Sequence, residues 1–251
     1  MEASLDCHVS RIKRSLSGWV DANKAITQLR DECVELGVSF ITGRAGTATG
    51  FRTDSQGVTQ AVATLAGVPV TGDKFVLAAG AWAARLASFY NSTLSTAQIV
   101  GYMRLTPEEM RRLETLPIYI NFSTDWFNFP PHGETQLLKM AVHGWGYTRR
   151  PDKDDPVITA DCLSSPPLQP ARSTRPNFVP VDGESRLRQG LREILPELAG
   201  RPFERLALCW YTDTPSGDFI IDYHPDYKNL LVAGGGSGQY VLFESEKFQI
   251  S

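Results

Sequence analysis

Residues 206 to 223 constrain the fold more tightly than any other stretch. Leu206, Leu208 and Trp210 alternate with Ala207, Cys209 and Tyr211, the period of two that a strand with distinct faces requires. Thr214-Pro215-Ser216-Gly217 comes next. Proline presets φ inside a turn and glycine closes it. Phe219 to Tyr223 then resumes a strand. The segment predicts a hairpin with Cys209 on its first strand. Small Ala207 on the same face leaves room for a flat group beside the thiol. The pattern is also that of a buried free cysteine, because free cysteine is among the most buried residue types.

The rest of the 251-residue chain mixes strands and helices without strict βα alternation, which predicts a mixed α/β and α+β architecture in one or two domains. Asp21 caps a helix whose stripe is Ala22, Ala25, Ile26, Leu29, Cys33 and Leu36, with Gly37 as its stop. Strands are expected at 38–41, 44–52, 58–65 and 74–79, with a turn at Asp54-Ser55-Gln56-Gly57. The strand ending at Ala79 runs into Gly80-Ala81-Trp82 and a short helix. Further strands are expected at 99–105, 118–122, 126–129, 137–143 and 229–233. Thr106-Pro107-Glu108-Glu109 is a helix start with a capping box and proline at the first helical position. Residues 149–180 carry seven prolines and read as a long ordered loop or linker, of a length that is often functional. A helix follows at 184–195.

Composition excludes several classes. The net charge is −3 with both signs interspersed, so no basic stripe points to nucleic acid. The four cysteines, Cys7, Cys33, Cys162 and Cys209, are far apart and form no Cys-x-x-Cys pair. Neither a metal site nor a disulfide framework is expected. No apolar run has the length of a membrane span, and no leader is visible at the start. His132 follows Pro130-Pro131 and His224 precedes Pro225; both read as structural.

Two other stretches carry chemical potential. In 138–143, Leu138, Met140 and Val142 share one strand face while Lys139, Ala141 and His143 share the other. One face packs on a core and the other meets water or a cavity. Gly234-Gly235-Gly236-Ser237-Gly238 ends a buried strand, and successive backbone N–H groups of such a loop can reach a carbonyl or phosphate. Gly80 likewise permits close backbone approach after a strand. Taken alone, these are also an ordinary solvated strand face and two ordinary turns.

Cys209-Trp210-Tyr211-Thr212-Asp213-Thr214-Pro215, the Phe75–Trp82 strand and turn, Gly18-Trp19-Val20-Asp21-Ala22 and the 234–238 loop together resemble the monomeric sarcosine oxidase, fructosyl-amino-acid oxidase and pipecolate oxidase family. These are FAD-dependent amine oxidases of the D-amino-acid oxidase type. The resemblance implies part of a glutathione-reductase-like FAD-binding domain and a D-amino-acid-oxidase-like mixed-sheet substrate domain. It divides the chain into 18–98 and 206–238 on the FAD side and 99–205 on the substrate side, with atypical ends at 1–17 and 239–251.

By that resemblance Cys209 carries FAD through a thioether. Ala79, Gly80 and Trp82 pass close to the flavin, and Gly235, Gly236, Ser237 and Gly238 return to it. Lys139 promotes reaction with O₂ and His143 shapes the amine pocket. The fructosyl branch has an acid where this chain has His143, so a sarcosine- or pipecolate-like substrate is implied ahead of a fructosyl amino acid or saccharopine. The implied reaction oxidises the C–N bond of a secondary-amine amino acid and yields H₂O₂. Family members are usually monomeric and cytoplasmic or peroxisomal.

The family's Gly-x-Gly-x-x-Gly phosphate loop and its carboxylate-binding Arg and Lys are absent from the sequence, and Gln249-Ile250-Ser251 is no peroxisomal tripeptide. A chain truncated at both ends is therefore expected, with doubtful retention of FAD and no turnover alone. A noncatalytic interaction module is the alternative.

Overall fold

The computed structural model describes residues 19–151, 158–159, 161–167 and 179–238. The expected features at Cys7, at Gly18 and in both atypical ends lie outside these residues, as does much of the proline-rich loop.

Asp21 starts α1 (Ala22–Glu35) by accepting the Lys24 N–H at 3.2 Å. Gly37 ends it at φ 88°, in the left-handed region that favours glycine. The helix has its expected stripe, yet none of its residues is buried; Ile26 and Leu29 are 66% and 56% exposed. The strand expected at 38–41 does not form. Val38, Phe40 and Ile41 are exposed, and no described strand lies alongside to take their backbone groups. A strand without a neighbour has no ladder to hold it.

The stretch expected as a strand from Arg44 begins instead with a single helical turn, α2 (Gly43–Gly46). Strands β1 (Ala48–Thr53), β2 (Thr59–Thr64) and β3 (Val70–Thr71) then form an antiparallel sheet. Asp54 makes the β1–β2 turn by accepting the N–H groups of Gln56 and Val58 at 2.8 and 3.0 Å. Next come β4 (Phe75–Leu77), a 3₁₀ turn at Gly80–Trp82 and α3 (Ala83–Leu86).

β5 (Leu94–Arg104) is longer than expected. It leads into α4 (Pro107–Leu113), whose capping box pairs Thr106 and Glu109 in both directions. β6 (Tyr119–Asn121), β7 (Trp126–Asn128), β8 (Leu137–Tyr147), α5 (Val181–Ile194), β9 (Arg205–Asp213), β10 (Ile220–Tyr223) and β11 (Leu230–Gly234) complete the order. The three sheets run β1-β2-β3, β10-β11-β4 and β6-β7-β8-β5-β9.

The 206–223 segment is two strands joined by a turn, but it is not a hairpin. The turn is as read, with the Gly217 N–H bonded to Thr214 O at 3.1 Å. β9 lies beside β5, whereas β10 pairs antiparallel with β11, Ile220 opposite Gly234 and Tyr223 opposite Leu231. β11 in turn runs parallel to β4. The turn moves the chain from one sheet to another, a choice that local alternation cannot reveal.

The described residues fall into two compact units. The first takes 19–28, 99–144 and 179–206. Its core is Ile99, Met103, Trp126, Leu138, Met140, Val142, Leu187, Leu191 and Leu198, all at 2% exposure or less. The Trp126 indole N–H donates to Leu187 O at 3.2 Å and ties α5 to the strand face below it. The second takes 29–98, 207–238 and the described part of 145–178. Phe75, Leu77, Ala83, Ala87, Phe89, Leu230 and Val232 form its apolar cluster, so the Gly80 turn springs from a packed strand.

Candidate cofactor and substrate sites

In the first unit, the inner face of β8 is Leu138, Met140 and Val142. β7 pairs with it as Trp126–Val142, Phe127–Ala141 and Asn128–Met140. Residues directly opposite project from the same side of a sheet. Trp126 and Asn128 are therefore inward, and Phe127 shares the outer face with Lys139, Ala141 and His143. The Lys139 ammonium lies 5.0 Å from the Phe129 ring centroid. The rings of Phe127 and Phe129 meet edge to face at 5.7 Å. The β7–β8 part of this face thus sets the Lys139 cation among aromatic rings. His143 is exposed, and its backbone N–H is held by Asp125 O at 2.9 Å.

In the second unit, Cys209 lies on β9, exposed and outside any disulfide. The buried-cysteine alternative is thereby overturned. Alternation puts Tyr211 and Asp213 on the same face as Cys209. Burial pushes the Tyr211 phenol up to about 12, and the neighbouring Cys209 and Asp213 add to the effect. The Thr96 hydroxyl donates to the Asp213 carboxylate, and the buried Gln98 amide donates to Thr96 Oγ1 at 3.1 Å.

The glycine-rich loop reaches this strand. The Ser237 N–H bonds Thr212 O at 3.0 Å and the Thr214 N–H reaches Ser237 Oγ at 3.3 Å. Gly235 has φ 70°, and a Cβ there would sit 2.7 Å from the Thr214 methyl. Glycine is thus needed both for backbone conformation and for close packing. Gly235 and Gly236 are buried, while Gly238 is exposed.

Gly80 has φ 51° with nothing within 4 Å of a Cβ built on it. Its Cα therefore faces open space shortly after β4. Ala79 and Trp82 are half-buried on either side, and Trp82 N–H closes the turn on Ala79 O at 3.0 Å.

The two remaining described histidines are structural, as read. His132 bridges the Asp21 carboxylate at 3.0 Å and the Thr135 N–H at 3.2 Å. His224 bridges Ser88 O at 2.8 Å and the Asp226 N–H at 3.1 Å. Among the described residues no group of His, Cys, Asp or Glu could hold a metal ion, and no helix is long and apolar enough to cross a membrane.

Sequence reasoning missed Tyr211, Phe127 and Phe129. The same period of two that placed Cys209 also places Tyr211 beside it, so that signal was available. The two phenylalanines required the β7–β8 register, which no local pattern specifies.

The sequence matches the family model for FAD dependent oxidoreductases over residues 8–243, beyond the 18–238 stretch that carries the resemblance by motif. It is similar to L-saccharopine oxidase of Schizosaccharomyces pombe, 28% identical over 235 residues, which covers 90% of this chain and 53% of that protein. It is also similar to monomeric sarcosine oxidase of Bacillus sp. strain NS-129, 27% identical, covering 70% of this chain and 41% of that one. Among solved structures, fructosyl amine:oxygen oxidoreductase (Amadoriase I) of Aspergillus fumigatus has a TM-score of 0.76 at 30% identity, covering 88% of this chain and 48% of that one. The chain thus spans about half the length of these relatives or less. With the family model matched along most of its length, this protein is a member of the FAD-dependent oxidoreductase family.

Proposed function

We propose that the protein takes part in oxidising the C–N bond of a secondary-amine amino acid of sarcosine or pipecolate type, with O₂ as the final acceptor. The observation that carries this reading is the outer face of β8, where Lys139 and His143 stand on an aromatic surface. When bound, FAD would accept the hydride from the substrate and relay its two electrons to O₂, giving H₂O₂.

The residues present fit that cofactor. Cys209 offers an exposed strand thiol for a thioether bond. Gly80 and its neighbours Ala79 and Trp82 offer a backbone surface with open space above it. Gly235, Gly236, Ser237 and Gly238 provide the second such surface, fastened to β9. Lys139 would stabilise the negative charge that develops on O₂, an electrostatic role that a fixed cation fills well. The Phe129 ring orients that cation. His143 would contact the substrate amine. Its imidazole, where the fructosyl branch is expected to carry an acid, favours a small secondary amine.

Glycated amino acids and saccharopine form the second reading, favoured by the likeness to Amadoriase I and to the yeast saccharopine oxidase. An interaction module is the third, favoured by the uncovered apolar face of α1.

One assay separates them. Peroxide is followed with sarcosine, pipecolate, saccharopine and a fructosyl amino acid. The FAD-loaded protein is compared with a form carrying a grafted N-terminal Gly-x-Gly-x-x-Gly segment and C-terminal Lys segment. The proposal expects peroxide from the grafted form with sarcosine or pipecolate. Peroxide only with a glycated amino acid or saccharopine transfers the function to the second reading. Failure of both forms to take up flavin supports the third.

A further inference from the structure

The described part of the proline-rich stretch is not a loose loop. Cys162, Ser164 and Ser165 are buried, Ser165 completely. Residues 161–167 have no regular secondary structure, so each buried polar group there needs a partner from elsewhere. Arg149 supplies part of them, its O accepting the Ser165 N–H and its N–H donating to Ser164 Oγ, both at 3.1 Å; the rest come from the Gly80 turn and the residues after it.

Arg85, 2% exposed, donates from Nη1 to Ser165 Oγ at 2.8 Å and to Pro166 O at 3.4 Å. The Trp82 indole N–H donates to Pro167 O at 3.1 Å. Thr159 Oγ1 donates to Ala84 O at 2.6 Å. Asp161 accepts from the Ser88 hydroxyl at 2.7 Å and from the Tyr90 N–H at 2.8 Å. Ser164 Oγ donates to Ser95 O at 2.6 Å, and Ser95 Oγ donates to Ala81 O at 2.7 Å. Every residue from Ala81 to Ser95 that accepts or donates in this set belongs to the segment beginning at the Gly80 turn.

A four-residue helix such as α3 has almost no stability of its own. Gly80, with no side chain and a left-handed φ, gives its turn none. The segment after it packs Ala83 and Ala87 into the apolar cluster, and the strap adds the hydrogen bonds that cross the turn. A buried guanidinium is expensive to desolvate and is kept only where its hydrogen bonds are made. Arg85 directs its Nη1 bonds to the strap.

We infer that Thr159 and residues 161–167 form a brace that fixes the Gly80–Trp82 turn in the shape needed to receive the flavin, and that Arg85 is its central pin, a positioning residue acting through Ser165 and Pro166. The cofactor half of this inference rests on the reading that FAD lies against Gly80; the brace itself does not.

The test uses hydrogen exchange on the full chain, with FAD titrations by fluorescence alongside. In Arg85→Met, amides of residues 81–86 should exchange at least about tenfold faster, while amides of the β1–β2 ladder keep their rates. Arg85→Lys should fall between the two. Trp82→Phe, which removes one hydrogen bond and little volume, should loosen the same residues less and guards against a variant that fails to fold. Unchanged exchange at 81–86 in Arg85→Met and Trp82→Phe, or equal acceleration throughout the unit, overturns the brace. If the turn loosens and FAD affinity falls about tenfold, the positioning role stands. If the turn loosens and FAD affinity is unchanged, the positioning role is overturned. A wild-type protein that binds no FAD overturns the cofactor reading, and the exchange rates still decide the brace.

Discussion

Lys139 holds its ammonium 5.0 Å from the centre of the Phe129 ring, and Phe129 N–H bonds back to Lys139 O at 3.1 Å. Strand pairing and a cation–π contact thus place one positive charge on an aromatic face. Lys139→Met should lower the rate of flavin reoxidation by O₂ by roughly 10²- to 10³-fold, the usual loss when a preorganised electrostatic group is removed. Flavin reduction by substrate should change little, and Phe129→Leu should cost less than about tenfold. Stopped-flow measurement of both half-reactions in the grafted form checks this; equal O₂ dependence with and without Lys139→Met would remove Lys139 from the chemistry.

Gly190 lies on α5 against Trp126, where a Cβ would come within 2.3 Å of the indole ring. In an exposed helix, glycine to alanine gains about 1 kcal/mol. Here Gly190→Ala should instead destabilise the protein by about 1–3 kcal/mol, because Trp126 is fully packed and cannot yield. Urea unfolding measures the sign directly.

Most single elements were legible in the sequence because their signals are local. The Thr106–Glu109 capping box, the Asp54 turn and the alternation at 138–143 depend on neighbours within a few residues. Two failures share one cause. The strand at 38–41 did not form for want of a partner. β9 and β10 did form, but they pair in different sheets. Strand partnership is a long-range property, and a period of two is silent about it. The site followed the same rule. Cys209, Lys139 and His143 were read from motif and alternation. The Phe129 contact and the Arg85 strap join residues many positions apart, and no local pattern announces them.

Arg201 forks onto Glu109, with Nη1 to Oε2 at 2.9 Å, while the same carboxylate accepts the Thr106 N–H at 2.8 Å. These hydrogen bonds, Arg201 foremost, pull the Glu109 carboxyl down to about 2 from its ordinary 4.5. Because the folded-state value lies below the unfolded one, the stabilisation is complete above 4.5 and is lost as the pH falls through about 2. Arg201→Met should cost about 1.5–3 kcal/mol at neutral pH, and the gap to wild type should close as the pH approaches 2. Denaturant midpoints between pH 7 and pH 2 test this.

Tyr211 carries the opposite sign. Its phenol is raised to about 12, chiefly by burial, from an ordinary 10.0. The folded state therefore holds this proton more tightly, and its contribution is complete below pH 10.0 and lost as the pH rises through about 12. Ultraviolet titration should show Tyr211 ionising later than the ordinary value, alongside Tyr90, which its hydrogen bond to Asp226 also raises. Tyr211→Phe should delete one late step and leave that of Tyr90 in place.

The most direct test concerns Cys209, the exposed thiol on β9. The protein is produced with excess FAD, unfolded in acid and digested, and the peptide containing Cys209 is weighed by mass spectrometry. The account predicts that this peptide carries the flavin in wild type, that the yellow colour survives denaturation, and that both are lost in Cys209→Ser. An unmodified Cys209 peptide under saturating FAD, or flavin bound covalently at another residue, would contradict it.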